Sequence, residues 1–207
     1  MIAIIDYGMG NLKSVHNAFK YVAPNTESIV TSNPDIIHKA DRVVFPGQGA
    51  MPDCIREMDE KGLREVVISS AKTKPFLGIC IGLQMLFDFS EEGNVEGLGL
   101  LKGKVKRFVK KADSDMKIPH MGWNRVDWRL PNHYRIRKNL EDGDQFYFVH
   151  SYKVETADPR VHCFNTDYGG TFTSGIISSN CIATQFHPEK SQSNGIQLYR
   201  NFLENIE

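Results

Sequence analysis

Gly78-Ile79-Cys80-Ile81-Gly82 sets one thiol between two glycines, at the point where an apolar β-rich run, residues 76–79, passes into a helical pattern. This is the layout of a nucleophile elbow, with sulfur in the place of a serine hydroxyl. The glycines permit a sharp turn without Cβ clashes. The turn lifts the thiol above the end of a sheet, and the N–H groups and positive end of the following helix favour thiolate and can hold an oxyanion. Such a nucleophile needs a base, and the base needs orienting. Among seven histidines, His187 stands apart in Thr184-Gln185-Phe186-His187-Pro188-Glu189. Pro188 disfavours helix at His187 and keeps it extended. Residues two apart in extended backbone share a side, so Glu189 can hold one ring nitrogen while the other faces the thiol. Cys80, His187 and Glu189 are thus candidate nucleophile, base and orienter, with the division of labour of a serine-protease triad. Each has a plainer reading, as a buried cysteine at a helix start and a histidine at a surface strand end. Their combination makes acyl transfer through cysteine the expectation.

A third piece, Phe45-Pro46-Gly47-Gln48-Gly49-Ala50, follows another β-run. In a parallel sheet it falls at the same edge as Cys80, where ligands bind. Glycines on both sides of Gln48 let a backbone N–H turn toward a developing oxyanion. The turn lacks the third glycine of a dinucleotide fingerprint, as does Gly8-Met9-Gly10, and no Walker-type sequence is present, so no nucleotide cofactor is expected. Cys54, Cys80, Cys163 and Cys181 form no CxxC pair, which argues against a disulfide framework and a zinc site. Neither metal nor cofactor is expected.

Positioning these pieces takes a sheet. Ile2–Ile5 reads as a strand ending at Tyr7-Gly8-Met9-Gly10, and Asn11 as the N-cap of a helix to about Tyr21, with Val15, Ala18, Phe19 and Val22 on one face. Strands follow at 29–31, 42–45 and 76–79, separated by a helix over 53–72 that breaks near Gly62, and a helix over 81–89 comes next. Strand, crossover, strand in repetition predicts a parallel sheet covered by helices. The second half reads differently. Strands at 145–154, 161–165, 171–178 and 182–186, with turns at Tyr168-Gly169-Gly170 and Ser179-Asn180, look like antiparallel hairpins. A helix over 195–206 offers Ile196, Leu198, Tyr199, Phe202 and Leu203 for packing. The fold class expected is therefore α/β: a central, mostly parallel sheet flanked by helices, with antiparallel strands added in the C-terminal half.

The 207 residues are 41% apolar and 24% charged, as for one folded domain spanning 1–207, and 25 basic residues balance 25 acidic ones. The basic cluster Lys102, Lys104, Lys106, Arg107, Lys110 and Lys111 alternates through 103–109 as a strand with a wet face, so no nucleic acid is expected as partner. The N-terminus has no basic start, and Asp6 ends its apolar run too early for a signal peptide or membrane span. A cytoplasmic protein with no membrane contact is expected.

Taken together, the elbow, the Gly47-Gln48-Gly49 turn and the His-Pro-Glu run resemble the class I, triad-type glutamine amidotransferases over nearly the whole chain. Four blocks are similar to the branch that serves histidine biosynthesis: Asp6-Tyr7-Gly8-Met9-Gly10-Asn11-Leu12, Pro119-His120-Met121-Gly122-Trp123-Asn124, Phe148-Val149-His150-Ser151-Tyr152 and Gln185-Phe186-His187-Pro188-Glu189-Lys190-Ser191. The second block separates it from the anthranilate and guanylate branches. The resemblance implies glutamine as substrate, Cys80, His187 and Glu189 as triad, and an oxyanion hole from Gly47, Gln48 and Gly49 with the Ile81 N–H. Many relatives carry valine where Gln48 stands, but the donor is backbone. Gln84, Ser151 and Tyr152 match substrate-binding positions. Asn11, Trp123, Tyr147 and Lys190 match an interface with a (β/α)8-barrel cyclase subunit, which in a heterodimer would receive the ammonia. Trp123 and Tyr147 read equally well as core or half-buried aromatics, Asn11 as a plain N-cap, Lys190 as a solvated charge. Rival expectations on the same residues are a paralogue for sugar amidation, a stand-alone γ-glutamyl cysteine hydrolase and a non-catalytic scaffold.

Overall fold

The computed structural model describes residues 1–110, 116–129, 134–158 and 161–204. The apolar β-branched run at the start forms β1 (Ile2–Ile5), buried at every position as a central parallel strand must be. The Asn11 side chain accepts from the Ser14 N–H and so caps α1 (Leu12–Val22), whose Val15, Ala18 and Phe19 are buried. Next come β2 (Ser28–Thr31) and α2 (Pro34–Lys39), a helix not anticipated, capped by the Asn33 side chain with proline in its first turn. After β3 (Arg42–Gly47), the long helical stretch divides into α3 (Met51–Glu60) and α4 (Arg64–Thr73), separated at Gly62, which has φ +64°. β4 (Phe76–Cys80) then leads into α5 (Ile81–Gln84).

The helix expected over 81–89 stops here, and 87–90 extends instead as β5 (Phe87–Ser90). The carbonyls of Met85 and Leu86 are taken by N–H groups from across the chain, Leu98 to Met85 at 2.7 Å and Leu100 and Leu101 to Leu86 at 2.9 Å each. Another helical turn would have needed those acceptors.

The chain continues through β6 (Val95–Glu96), β7 (Leu101–Arg107), β8 (His120–Val126), β9 (Asp144–His150), β10 (Tyr152–Thr156), β11 (His162–Asp167), β12 (Thr171–Ser178) and β13 (Cys181–Thr184), and closes with α6 (Gln192–Glu204). The single strand expected over 145–154 is two strands in different sheets. β9 pairs with β8 in a separate two-stranded ribbon, and β10 joins the main sheet beside β7 and β12, the chain changing sheets at Ser151. β8 was legible only as a sequence block. The strand expected over 182–186 ends at Thr184, and the last helix begins at Gln192. Lys111 of the basic cluster and Ile206, the expected helix end, lie outside the described residues.

The main sheet runs β2-β1-β3-β4-β13-β12-β10-β7-β5-β6, with β11 paired to β12. Its first five strands are parallel neighbours, and β12 and β10 add antiparallel pairings. α1 packs with α6 and α2 with α4; Phe19 lies 4.7 Å from Tyr199 and 6.2 Å from Phe202, ring centre to ring centre. The decisive placement is β13. Although it comes last, it seats beside β4 with Cys181 opposite Phe76 and Thr184 opposite Ile79. No helix of the described residues is long and apolar enough to cross a membrane.

Candidate active site

Register brings three strand ends together: Gly47 of β3 lies opposite Cys80 of β4, and β13 ends at Thr184, opposite Ile79. The turn at Cys80 is sharp, and Gly78 and Gly82 spare it Cβ clashes as expected. Cys80 itself carries the unusual backbone, φ 55° and ψ −105°, a conformation costing a non-glycine residue on the order of 1–3 kcal/mol. Gly78 and Gly82 serve close approach of the backbone. A Cβ on Gly82 would overlap the Phe45 carbonyl oxygen, one on Gly78 would come within 2.9 Å of the Gly82 oxygen, and one on Gly47 would overlap the Tyr7 hydroxyl. The strained cysteine is held because its neighbours on both sides fit nothing larger.

After Thr184 the chain leaves the sheet, with the Gln185 N–H bonded to Ser174 O at 2.8 Å and the His187 N–H to Tyr147 O at 2.9 Å. Ser191 Oγ donates to His187 O at 2.6 Å. These bonds clamp His187 in extended geometry, φ −102° and ψ 99°. Glu189 reaches it from a 3-10 turn, Pro188–Lys190, rather than from the extended strand that spacing suggested. The contact survives the change: His187 Nδ1 lies 2.8 Å from Glu189 Oε1, and both side chains are buried. A carboxylate only accepts, so Nδ1 carries the hydrogen and Nε2 is left for the sulfur. Nε2 has no partner at hydrogen-bond geometry, yet Cys80 is near enough to act on the ring's charge. Burial by itself would lower the imidazole pKa; Cys80 and Glu189 outweigh it and raise the group to about 10.

Sequence reasoning missed Gln185. Its Nε2 points at Cys80 Sγ from 3.6 Å. Gln84 Nε2 donates to Gln185 Oε1 at 3.0 Å and to Tyr152 O at 3.4 Å. Since a carbonyl only accepts, the Gln84 amide is fixed, and this in turn turns the Gln185 nitrogen toward the sulfur. The signal was present: Gln185 stands two residues before His187 in extended chain.

Cys80 and His187 open into a cleft of about 700 Å³, lined also by Gln48, Gly49, Ile81, Gln84, Ser151 and Tyr152. That volume is within the range of small-molecule sites. Gly47 is buried and is not among the residues lining the cleft. Gly49 has φ +109°, and Cys54 Sγ holds the Gln48 carbonyl from behind at 3.7 Å. Among the expected interface residues, Trp123 is 44% exposed and stands edge-on to Tyr147 at 6.1 Å, while Lys190 Nζ lies 5.8 Å over the Tyr147 ring. The three form one surface cluster at the cleft's rim, so Trp123 is not a core aromatic. Asn11 sits in its helix cap, directly after Gly10, which lines the same cleft as Lys190. Among the described residues, no group of three or more His, Cys, Asp or Glu side chains is placed to hold a metal ion.

The family model for glutamine amidotransferase class-I matches residues 3–206. The chain belongs to this family. A relative, the imidazole glycerol phosphate synthase subunit HisH of Aromatoleum aromaticum, is 54% identical, the match covering 98% of this chain and 97% of that one. The protein of the same name from Chromobacterium violaceum is 47% identical over 98% of this chain and 96% of its own. Among solved structures, a glutamine amidotransferase crystal structure superimposes with a TM-score of 0.73 at 15% identity, covering 99% of this chain and 98% of that one. A chain from the PurLQS structure of Thermotoga maritima gives 0.70 at 16% identity, covering 98% and 97%. At such identities the likeness is one of fold, and it is the class-I amidotransferase fold.

Proposed function

We propose that this chain, folded as one glutaminase domain, is the glutaminase subunit of an imidazole glycerol phosphate synthase, splitting glutamine at Cys80 and passing the ammonia to a cyclase subunit. The observation that carries the reading is the meeting of Cys80, His187 and Glu189 over one cleft. The relatives named above, alike over nearly their full length, support the choice of synthase.

Sulfur attacks the side-chain amide carbon of glutamine. The oxyanion is held by backbone N–H groups of the Gly47-Gln48-Gly49 turn and of Ile81, which opens α5. His187, positively charged between sulfur and carboxylate, gives its proton to the departing nitrogen. Ammonia leaves and a γ-glutamyl thioester remains on Cys80. His187 then takes a proton from water, the hydroxide adds to the thioester carbon, and glutamate departs as the thiol re-forms. Ser151 and Tyr152 hold the α-amino and carboxylate end of the substrate, and Gln84 walls the cleft while fixing Gln185.

In water at neutral pH, free ammonia takes up a proton and loses its nucleophilic lone pair, so the product has to be delivered directly. The partner proposed is a cyclase subunit of (β/α)8-barrel type, docked on the rim carrying Trp123, Tyr147, Lys190 and Asn11. Cys80→Ala, assayed for glutamate with that subunit and its nucleotide present, should lose at least about 10³-fold in turnover. Undiminished glutamate formation by this variant overturns the assignment.

A further inference from the structure

The mechanism above leaves two buried histidines, His120 and His150, without a task. One carbonyl fixes every proton between them. His150 Nδ1 lies 2.7 Å from Tyr152 O; a carbonyl only accepts, so Nδ1 bears the hydrogen. His150 Nε2 is then a bare lone pair, and His120 Nδ1, 2.9 Å away, donates to it. His120 Nε2 is left bare in turn and accepts from Asn124 Nδ2 at 3.2 Å. The Asn124 amide is oriented because its nitrogen also donates to Asp167 O at 2.9 Å. Both rings are therefore neutral, each in a single tautomer. His120 stacks between Phe148 at 4.7 Å and Tyr168 at 3.9 Å, and Phe108 and Phe172 pack against both histidines.

Apolar rings would fill this space without the cost of burying polar ones. What they cannot do is hold Tyr152 O. That carbonyl sits where the chain passes from β9 into β10, beside Ser151, and it is the same oxygen that orients Gln84.

We infer that the Asn124–His120–His150 chain is a positioning device that fixes Ser151 and Tyr152 at the cleft, and so sets the affinity for the α-amino and carboxylate end of glutamine. The inference rests on the glutaminase reading proposed above. His150 lines the cleft, while His120 and Asn124 lie behind it and outside its lining, so loss of these two is felt in substrate binding and not in the reactivity of the sulfur.

The test uses the full chain with the cyclase subunit, measuring glutamate formation and, separately, alkylation of Cys80 by iodoacetamide. If wild type forms no glutamate, the glutaminase reading falls and this inference with it. His120→Phe keeps the stacked ring and removes the donor; KM for glutamine should rise about tenfold, as for one lost hydrogen bond, with kcat and the alkylation rate within about threefold of wild type. His120→Asn places an amide N–H near the former Nδ1 and should recover most of the lost affinity. Asn124→Asp reverses the proton logic. A carboxylate cannot donate, so His120 can meet it and still serve His150 only as a cation. The other titratable groups against the pair are His187, which acts on His150, and the Tyr168 phenol, whose hydroxyl donates to Lys117 O. In this variant KM should sit near the wild-type value at pH 6 and climb as pH rises, where wild type stays level. Equal effects of the Phe and Asn replacements, or a loss confined to kcat, would show mere packing and overturn the inference. Should His120→Phe not fold, the Asn124→Asp profile decides, and a level KM across pH 6–9 counts against it.

Discussion

His187 is 2% exposed, and His120 and His150 are 2% and 6% exposed, yet their protons behave in opposite ways. His187 faces a carboxylate and a sulfur, which overcome the desolvation penalty and hold the ring charged, its pKa raised to about 10. His120 and His150 face aromatic rings, a carbonyl and an amide. Burial therefore dominates and pushes them down to about 4 and about 3. Depth of burial decides how much a neighbour matters, and the neighbour decides the sign. In the mechanism proposed, one set moves a proton and the other keeps its protons still.

Breaking the charged member should produce the largest effect. Glu189→Gln replaces the carboxylate that holds Nδ1–H with a neutral amide, so one of the two groups that keep the ring charged is lost and its orientation is weakened. Glutamine turnover should fall by about 10²–10⁴, and the pH dependence of Cys80 alkylation should shift. If turnover stays within about threefold of wild type, Glu189 is not the orienter.

Unfolding in urea at a series of pH values sharpens the contrast. For His120 and His150 the unfolded chain binds protons below about pH 6.5 that the folded chain refuses until about 4 and about 3. Stability should therefore fall as pH drops through that window, by up to about 1.4 kcal/mol per pH unit for each histidine. His187 works the other way. Its stabilising share is complete below the unfolded value near 6.5 and is lost as pH rises through about 10. Replacing both His120 and His150 with Phe should flatten the acid limb and spare the alkaline one. An acid limb unchanged by that double replacement would assign it to other groups.

A smaller effect tests the backbone under the charged site. Gly82→Ala drives a methyl group into the Phe45 carbonyl, and should cost about 1–3 kcal/mol, read as a lowered Tm. An unchanged Tm would mean that α5 yields without strain.

Much of the site could be read before any coordinates. The elbow, the Gly47-Gln48-Gly49 turn and the His-Pro-Glu run each lie within a few residues, and short-range backbone preferences hold at that scale. The early strands and α1 follow hydrophobic periodicity, which is also local. The helix expected over 81–89 failed because the acceptors it needed were taken by Leu98, Leu100 and Leu101 from beyond the stretch in question. Likewise 145–154 is uniformly strand-like in sequence, and only the competition between β8 and β7 as partners divides it at Ser151.

By itself, then, the sequence determined the chemistry on offer: a thiol on a sharp turn, an imidazole held extended by the proline after it, a carboxylate two residues on. These follow from side-chain type and from φ/ψ limits acting over a turn or less. Only tertiary structure decided that β13 seats beside β4 in a register bringing His187 to Cys80, that Gln185 points at the sulfur, and that one buried histidine is charged while two are neutral. Pairing across more than a hundred positions depends on which strand edge is open once everything else has packed. A buried ring's charge depends on whatever that packing sets against it.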